Sequence, residues 1–357
     1  MSIWTLLLLV ALALVIVAVA ATVAHVHYWS RKLRVELTYL TVERLPTPDG
    51  SAVELRRLPP GRGEGPPVLL VHGLALNHRN HDMLAELSLG RLLAERGRDV
   101  WLLTLRSGRG DVSLREGRGV TFDNMVRYDL PTGIDAVLER TGASALDYVG
   151  FSMGGMLMYA ALGQTVPEGD VRRAAFIGSP ARLTPPIPIL AYARYVPRVL
   201  SPRVPLRLLS VFGAPFVGRL VTPWHHVLYN PANVDVRVAG LLLANGFVDI
   251  PGPLNADFAG WQGGHVSFDG RAVTENVEAA TTPALFIAGA ADRMAPPASV
   301  RLAYDHWGAA AAEEVEKAWR LLGVADGASG DYGHGDLAIG RGAAVDVFEP
   351  VATFLAP

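Results

Sequence analysis

The sequence predicts an α/β protein: a mostly parallel sheet with helices on both faces, an inserted and mainly helical cap, and an N-terminal transmembrane helix. Three observations carry this. Short apolar runs at Val68–Val71, Val100–Leu105 (broken only by Thr104), Ala174–Ile177 and Ala284–Ala288 alternate with helical patterns, as strands buried on both faces do. A strand, a sharp turn and an apolar helix meet at Gly150-Phe151-Ser152-Met153-Gly154. Ile3 to Ala24 carries no charge.

As a helix that uncharged run is about 33 Å long, against a hydrocarbon core of roughly 30 Å. Trp4 stands near one end, and Tyr28 and Trp29 near the other, as interfacial anchors do. No Lys or Arg precedes the run, so it reads as a retained anchor rather than a cleaved signal peptide, although Ala18-Val19-Ala20 has the small residues of a cleavage site. Arg31, Lys32 and Arg34 follow directly, and the positive-inside rule places the globular part on the cytoplasmic side.

The chain has 357 residues, enough for one large domain or two. With 50% apolar and 18% charged residues it has the means to fold. A net charge of -2 gives no basic face for nucleic acid. Cysteine is absent, which excludes disulfides, thiolate metal sites and a cysteine nucleophile.

Taken in order, Leu33–Leu45 alternates as a strand, Pro48-Asp49-Gly50 turns, and Ala52–Leu58 is its partner. Val68–Val71 is a central strand ending in His72-Gly73-Leu74, and a helix follows at about Met83–Arg96. After the strand at Val100–Leu105, Arg106 to Arg109 reads as a solvated charged loop. Phe122–Arg140 is an amphipathic helix with Thr121 as N-cap, and Pro131 predicts a kink or break in it. The elbow strand and its helix come next, then Ala174–Ile177. Residues 183–282 are too long for a structureless loop and read as the cap. A strand at Ala284–Ala288, a helix at Ala298–Trp307, a strand at Ala318–Val324 and a helix at Ala343–Leu355 complete the core. The expected organisation is an anchor at 1–30, a core at 31–182 and 283–357, and a cap at 183–282.

The pentapeptide is a G-x-S-x-G nucleophile elbow, in which a strained Ser152 needs small neighbours; Gly150, Gly154 and Gly155 supply them. A serine hydroxyl needs a base, and the base needs an acid to orient it. With an elbow nucleophile these follow in the order acid, then histidine, on loops after strands. Asp292 lies just past the strand at 284–288, whereas Gly178-Ser179-Pro180 offers no carboxylate. His334, in Tyr332-Gly333-His334-Gly335-Asp336, is the only His after His306. The expected oxyanion donors are the backbone N–H groups of Met153 and Leu74. Phe151, Trp224 and Trp261 are the expected substrate contacts. His72 is expected to shape its loop and Asp336 to be structural. His78 and His81 have an i,i+3 spacing but no evident third metal ligand.

These stretches, with Phe122-Asp123-Asn124-Met125 and Tyr128-Asp129-Leu130-Pro131, resemble the α/β-hydrolase superfamily and within it the acid-lipase branch. The resemblance covers roughly residues 66–182 and 283–357. It implies a Ser152/Asp292/His334 triad with neither metal nor organic cofactor. Phe151 stands where acid lipases usually have His, and Met153 where they usually have Gln. The similar polyhydroxyalkanoate synthases use Cys at the nucleophile position, and haloalkane dehalogenases and epoxide hydrolases use Asp; Ser152 matches neither. The expected function is a membrane-anchored serine hydrolase cleaving an apolar carboxylic ester through an acyl-enzyme on Ser152. Its expected partners are a lipophilic ester and the lipid bilayer. The alternatives are an acyltransferase with the same triad and a catalytically silent, hydrolase-like binding module.

Overall fold

The computed structural model describes residues 2–357 except 62, 64, 220, 221, 223 and 224. Its elements in chain order are α1 (Ile3–Lys32), β1 (Thr41–Pro46), β2 (Ala52–Arg57), β3 (Val68–Val71), α2 (Leu89–Glu95), β4 (Val100–Thr104), α3 (Leu130–Thr141), β5 (Leu146–Phe151), α4 (Met153–Ala161) and β6 (Val171–Ile177). Then come α5 (Leu206–Gly213), α6 (Val236–Asn245), α7 (Gly252–Gly260), β7 (Ala284–Gly289), α8 (Pro297–His306), β8 (Lys317–Leu322) and α9 (Glu349–Phe354). The eight strands form one sheet in the order β1-β2-β4-β3-β5-β6-β7-β8. Only β1 and β2 run antiparallel to their neighbours.

The all-apolar strands follow from two cores. Leu69, Trp101, Tyr148 and Phe286 point into one. Their chain neighbours Leu70, Leu102, Val149 and Ile287 point into the other. A strand buried on both faces favours apolar residues throughout, and the carboxylate that β5 does bury, Asp147, is paired with Arg98 and Arg172. This arrangement places the nucleophile loop, which follows β5, at the carboxyl edge of the middle of the sheet, where sites of open α/β folds collect.

The structure moves several boundaries. Leu33–Leu40 is not strand: β1 starts at Thr41. Asn245 claims the backbone before it, its amide donating to Leu33 O at 2.8 Å and accepting from Val35 N–H at 3.0 Å. The helix expected from Met83 begins at Leu89, because Ser88 caps it by accepting from Arg91 N–H at 3.0 Å. Thr121 does cap the following helix, accepting from Asn124 N–H at 3.1 Å. Pro131 interrupts that helix as expected: Met125–Asp129 forms a π turn ahead of α3, which absorbs the proline's missing donor.

Arg106 and Arg109 are a larger correction. Both are buried, not solvated. Arg106 donates from Nε and from its backbone N–H to the two oxygens of Asp129, at 2.7 and 2.8 Å. Its Nη2 reaches Asp49 at 2.9 Å. The fork thus joins the turn between β1 and β2 to the π turn before α3. Burial outweighs the pull of the Arg106 guanidinium and raises the Asp129 carboxyl to about 7.

Removing one member of such a buried pair strands the other. Arg106→Ala is expected to lower unfolding stability by about 3–5 kcal/mol, read from guanidinium denaturation. The double variant Arg106→Met/Asp129→Leu should recover part of that loss, since the only charged partner then left, Asp49, lies on an exposed turn where water can solvate it.

Candidate active site

Ser152 ends β5 with φ 51° and ψ -116°, a conformation that L-residues avoid. Its N–H is held by Ile177 O of β6 at 2.8 Å. The strain is tolerated because strand and helix approach almost to contact. A Cβ on Gly150 would sit 2.5 Å from Gly155 N, and one on Gly154 would sit 2.4 Å from Val71 O. Every residue of α4 is buried, so the helix that carries the elbow cannot shift to relieve the turn.

The expected acid and base come together. His334 Nδ1 donates to Asp292 Oδ2 at 2.7 Å, and both side chains are buried. Asp292 is held in turn by the N–H groups of Met294 and Ala295, at 2.8 and 2.7 Å on Oδ1. Three donors therefore converge on one carboxylate, which fixes its orientation and that of the ring bonded to it. Asp336, two residues beyond His334, accepts from the N–H groups of Gly333 and Asn230 and from Asn233 Nδ2, at 2.9, 3.0 and 2.7 Å. It thereby ties the histidine loop to residues 230–233 of the inserted segment.

The loop after β3 is shaped by neutral histidines. His72 Nδ1 donates to Gly73 O at 2.8 Å, and its Nε2 accepts from Leu105 N–H at 3.1 Å. His81 Nε2 donates to Val71 O at 3.0 Å. Burial lowers both rings to about 4. Asn80, which the sequence did not single out, accepts from Gly73 N–H at 3.1 Å. Ala75 takes φ 59°, completing a tight turn. The N–H groups of Leu74 and Met153 have no acceptor among the described residues, so two donors remain available beside Ser152.

Ser152 stands where two cavities meet. The first encloses about 850 Å³, part of it open to solvent. Its walls include Phe151, His334, Leu206, Leu242, Leu243 and Phe247, and they are almost wholly apolar. The second shares Leu74, Ser152 and Met294 with the first, and adds the polar groups of Thr184, Asn255 and Gln262. Phe151 lines the first cavity and lies against the His334 ring, centroids 5.1 Å apart. Trp261 lines neither cavity; it packs edge-on to Phe122 at 5.0 Å and donates from Nε1 to Ser267 Oγ at 3.0 Å. Trp224 lies outside the described residues. The apolar walls from α5 and α6 escaped the sequence reading, because their pattern was that of any amphipathic helix.

An elbow serine at the end of a central parallel strand, facing a buried His–Asp pair across a lipophilic cavity, is the architecture of one large class of α/β proteins. A family model for the alpha/beta hydrolase fold matches residues 66–319, and the chain belongs to that family. It is 35% identical over 159 residues to the lysosomal acid lipase/cholesteryl ester hydrolase of Homo sapiens, covering 38% of this chain and 40% of that one. It is 38% identical over 125 residues to the gastric triacylglycerol lipase of Bos taurus, covering 30% and 31%. The chain thus spans well under half the length of these curated relatives. Among solved structures, the monoacylglycerol lipase of Paleococcus ferrophilus aligns over 84% of this chain and 98% of that one, with TM-score 0.53 and 18% identity. A thermophilic esterase from Thermogutta terrifontis aligns over 88% and 98%, with TM-score 0.53 and 15% identity. At that identity these two show the shared fold. The chain is a lipase- and esterase-like α/β hydrolase.

His72 and His81 set a pH dependence. The unfolded chain takes up protons on both rings near pH 6.5, whereas the folded chain refuses them until about pH 4. Stability is therefore full above pH 6.5 and falls as pH drops from 6.5 towards 4, by up to roughly 3 kcal/mol per ring. Denaturation midpoints measured at pH 7.5, 6 and 5 should decline in that order, and His72→Gln should flatten the decline.

Proposed function

We propose that the chain is a membrane-anchored serine hydrolase that cleaves an apolar carboxylic ester through an acyl-enzyme on Ser152. The observation that carries this reading is the buried 2.7 Å bond between His334 and Asp292, with His334 lining the same apolar cavity as Ser152. The names of the relatives add to it, since they denote enzymes of cholesteryl esters and triacylglycerols.

In this reading His334 Nε2 takes the proton of Ser152 Oγ as the oxygen attacks the ester carbonyl carbon. The N–H groups of Leu74 and Met153 stabilise the oxyanion, each worth about 3–4 kcal/mol in the transition state. The tetrahedral adduct then collapses, the ester C–O bond breaks, and the departing alkoxide leaves with the proton from His334. A water molecule, deprotonated by the same ring, attacks the acyl-enzyme; the acid is released and Ser152 regains its proton. Asp292 stays ionised throughout and stabilises the imidazolium. The acyl chain lies in the apolar cavity under α5 and α6, and the alcohol part faces Thr184, Asn255 and Gln262. Residues 183–282 act as the cap over a core formed by 31–182 and 283–357.

The anchor is α1, a single helix from Ile3 to Lys32 whose most apolar stretch has a mean hydropathy of 3.1 and no buried residue. Its carboxyl end packs on α5 and α6, which supports a retained helix rather than a removed signal. Arg31, Lys32 and Arg34 at that end put the globular part on the cytoplasmic side.

Two outcomes check the proposal. Ser152→Ala is expected to lower hydrolysis of a p-nitrophenyl ester by about 10⁵–10⁶-fold and to abolish labelling by a fluorophosphonate, with folding unchanged by circular dichroism. An unchanged rate would sink the reading. Leu243→Trp, which fills part of the apolar cavity, should shift the preferred acyl chain to shorter lengths in a series of esters while leaving fluorophosphonate labelling intact.

A further inference from the structure

α5 is amphipathic in an unusual way. One side lines the first cavity through Leu206 and is buried at Ser210 and Val211. The other side bares Leu208, Leu209 and Phe212, and Phe216 continues it one turn further. On a soluble surface this stripe would be a liability. α1 indicates what covers it. Thr22, His25, Val26 and Trp29, one side of that helix, are half-covered, and α1 packs on α5 there. His25 Nε2 donates to Phe212 O at 3.1 Å, and its ring lies 4.8 Å from the Phe212 ring and 5.9 Å from that of Phe216.

This contact fixes a depth. Tyr28 and Trp29 mark the headgroup level of α1, and Lys32 sits over both rings at 5.4 and 5.1 Å. His25 is four residues nearer the bilayer centre than Trp29, about 6 Å along the helix axis. Phe212, held against His25, must lie at that level. Amphipathic helices seated in a membrane surface bury their apolar side by about 5–10 Å, which is the same depth. Asn245, through its two bonds to the backbone of Leu33 and Val35, ties the chain just past the end of α1 to α6.

Charge points the same way. Between Asp170 and Asp235 the chain has no acidic residue, while Arg182, Arg194, Arg198, Arg203, Arg207 and Arg219 fall in that interval. Arg198 and Arg203 are paired with Asp257 and Asp249. Among the described residues Arg194, Arg207 and Arg219 make no ion pair, and Arg207 and Arg219 flank the apolar stripe in sequence. Apolar residues flanked by arginines whose guanidinium groups lack an ion pair suit a surface seated on anionic lipid.

We propose that the outer face of α5 with Phe216 is seated in the headgroup–acyl boundary of the bilayer that α1 crosses, on anionic lipid, so that the cavity beside Ser152 is filled from that leaflet. This rests on the anchor reading above. The test uses the full chain in mixed phosphatidylcholine–phosphatidylglycerol vesicles. Because the chain has no cysteine, single labels are unambiguous. Nitroxides are placed at Leu209→Cys, Val10→Cys and Val345→Cys, and their accessibility to oxygen and to a water-soluble nickel complex is compared. Leu209→Cys should be oxygen-accessible at about 5–10 Å below the phosphates, Val10→Cys deep in hydrocarbon, and Val345→Cys aqueous. A label at 209 as aqueous as that at 345, with 10 still in hydrocarbon, overturns the seating and leaves the anchor standing. A label at 10 in water overturns both. As a kinetic readout, Leu208→Glu/Leu209→Glu should raise KM several-fold for an ester carried in these vesicles and leave a short-chain soluble ester unchanged. Equal effects on the two substrates, or none on the vesicle-borne ester, also overturn the proposal.

Discussion

The structure depends on one forbidden backbone conformation, that of Ser152. Holding a non-glycine residue at positive φ costs on the order of 1–3 kcal/mol and persists only where the surroundings over-determine it. Here they do. β5 is the middle strand, bonded on one side to β3 and on the other to β6. α4 is buried along its whole length; Gly150 lets it approach β5, Gly154 lets it approach Val71 of β3, and Gly155 lets it approach Ser179. The strain is useful because it lifts the serine side chain off the strand end and starts a helix directly beneath it. The same turn leaves the Met153 N–H without an acceptor, pointing from a helix N-terminus where negative charge is favoured.

The remaining parts of the site are held by buried polar bonds rather than by packing alone. His72 pins the β3 loop to the end of β4 through Leu105, so the Leu74 N–H is set by the sheet and not by loop entropy. Arg106, one residue further, continues the chain of bonds to Asp129 and Asp49. On the other edge Asp292 is bonded to two N–H groups of its own loop. Each is a group that would cost about 1–3 kcal/mol if buried without a partner, so each strongly disfavours any rearrangement that breaks it. That is how a site assembled from four separate loops is preorganised.

How far this was legible from the sequence depends on the range of the interaction. Strands buried on both faces announce themselves, because nearly all their positions are apolar; the elbow does so through three glycines set closely around one serine. Asp292 and His334 could be named from their positions just after strands, and they do meet. Most of the failures involve partners distant in sequence. Arg106 reads as a surface charge because its partners lie 23 and 57 residues away. Leu33–Leu40 has a strand's alternation but surrenders its backbone to Asn245, over two hundred residues on. Trp261 has the composition of a substrate contact, yet Phe122 and Ser267 take both its face and its donor. The lining of the cavity was illegible for the same reason: α5 and α6 face Ser152 only once the inserted segment has folded over the sheet.

That insertion is not an independent appendage. Asp336 accepts one bond from the histidine loop and two from the stretch 230–233, so the position of His334 and the docking of that stretch rest on one carboxylate. Gly333 and Gly335 explain why side chains are missing there: a Cβ on the first would meet Asn230 N at 2.8 Å, and one on the second Leu228 O at 2.8 Å. The histidine loop is therefore pressed directly against the insertion's backbone. A movement of residues 228–233 away from the core would take with it two of the three bonds on Asp336 and loosen the segment that carries His334. Since α6, a few residues further along, lines the apolar cavity and holds the chain just past α1 through Asn245, one continuous stretch links α1, the cavity wall and the imidazole. The physical constraint on this chain is then that the shape of the apolar cavity under α6 and the position of the His334 ring are not independent: the same short piece of backbone carries both.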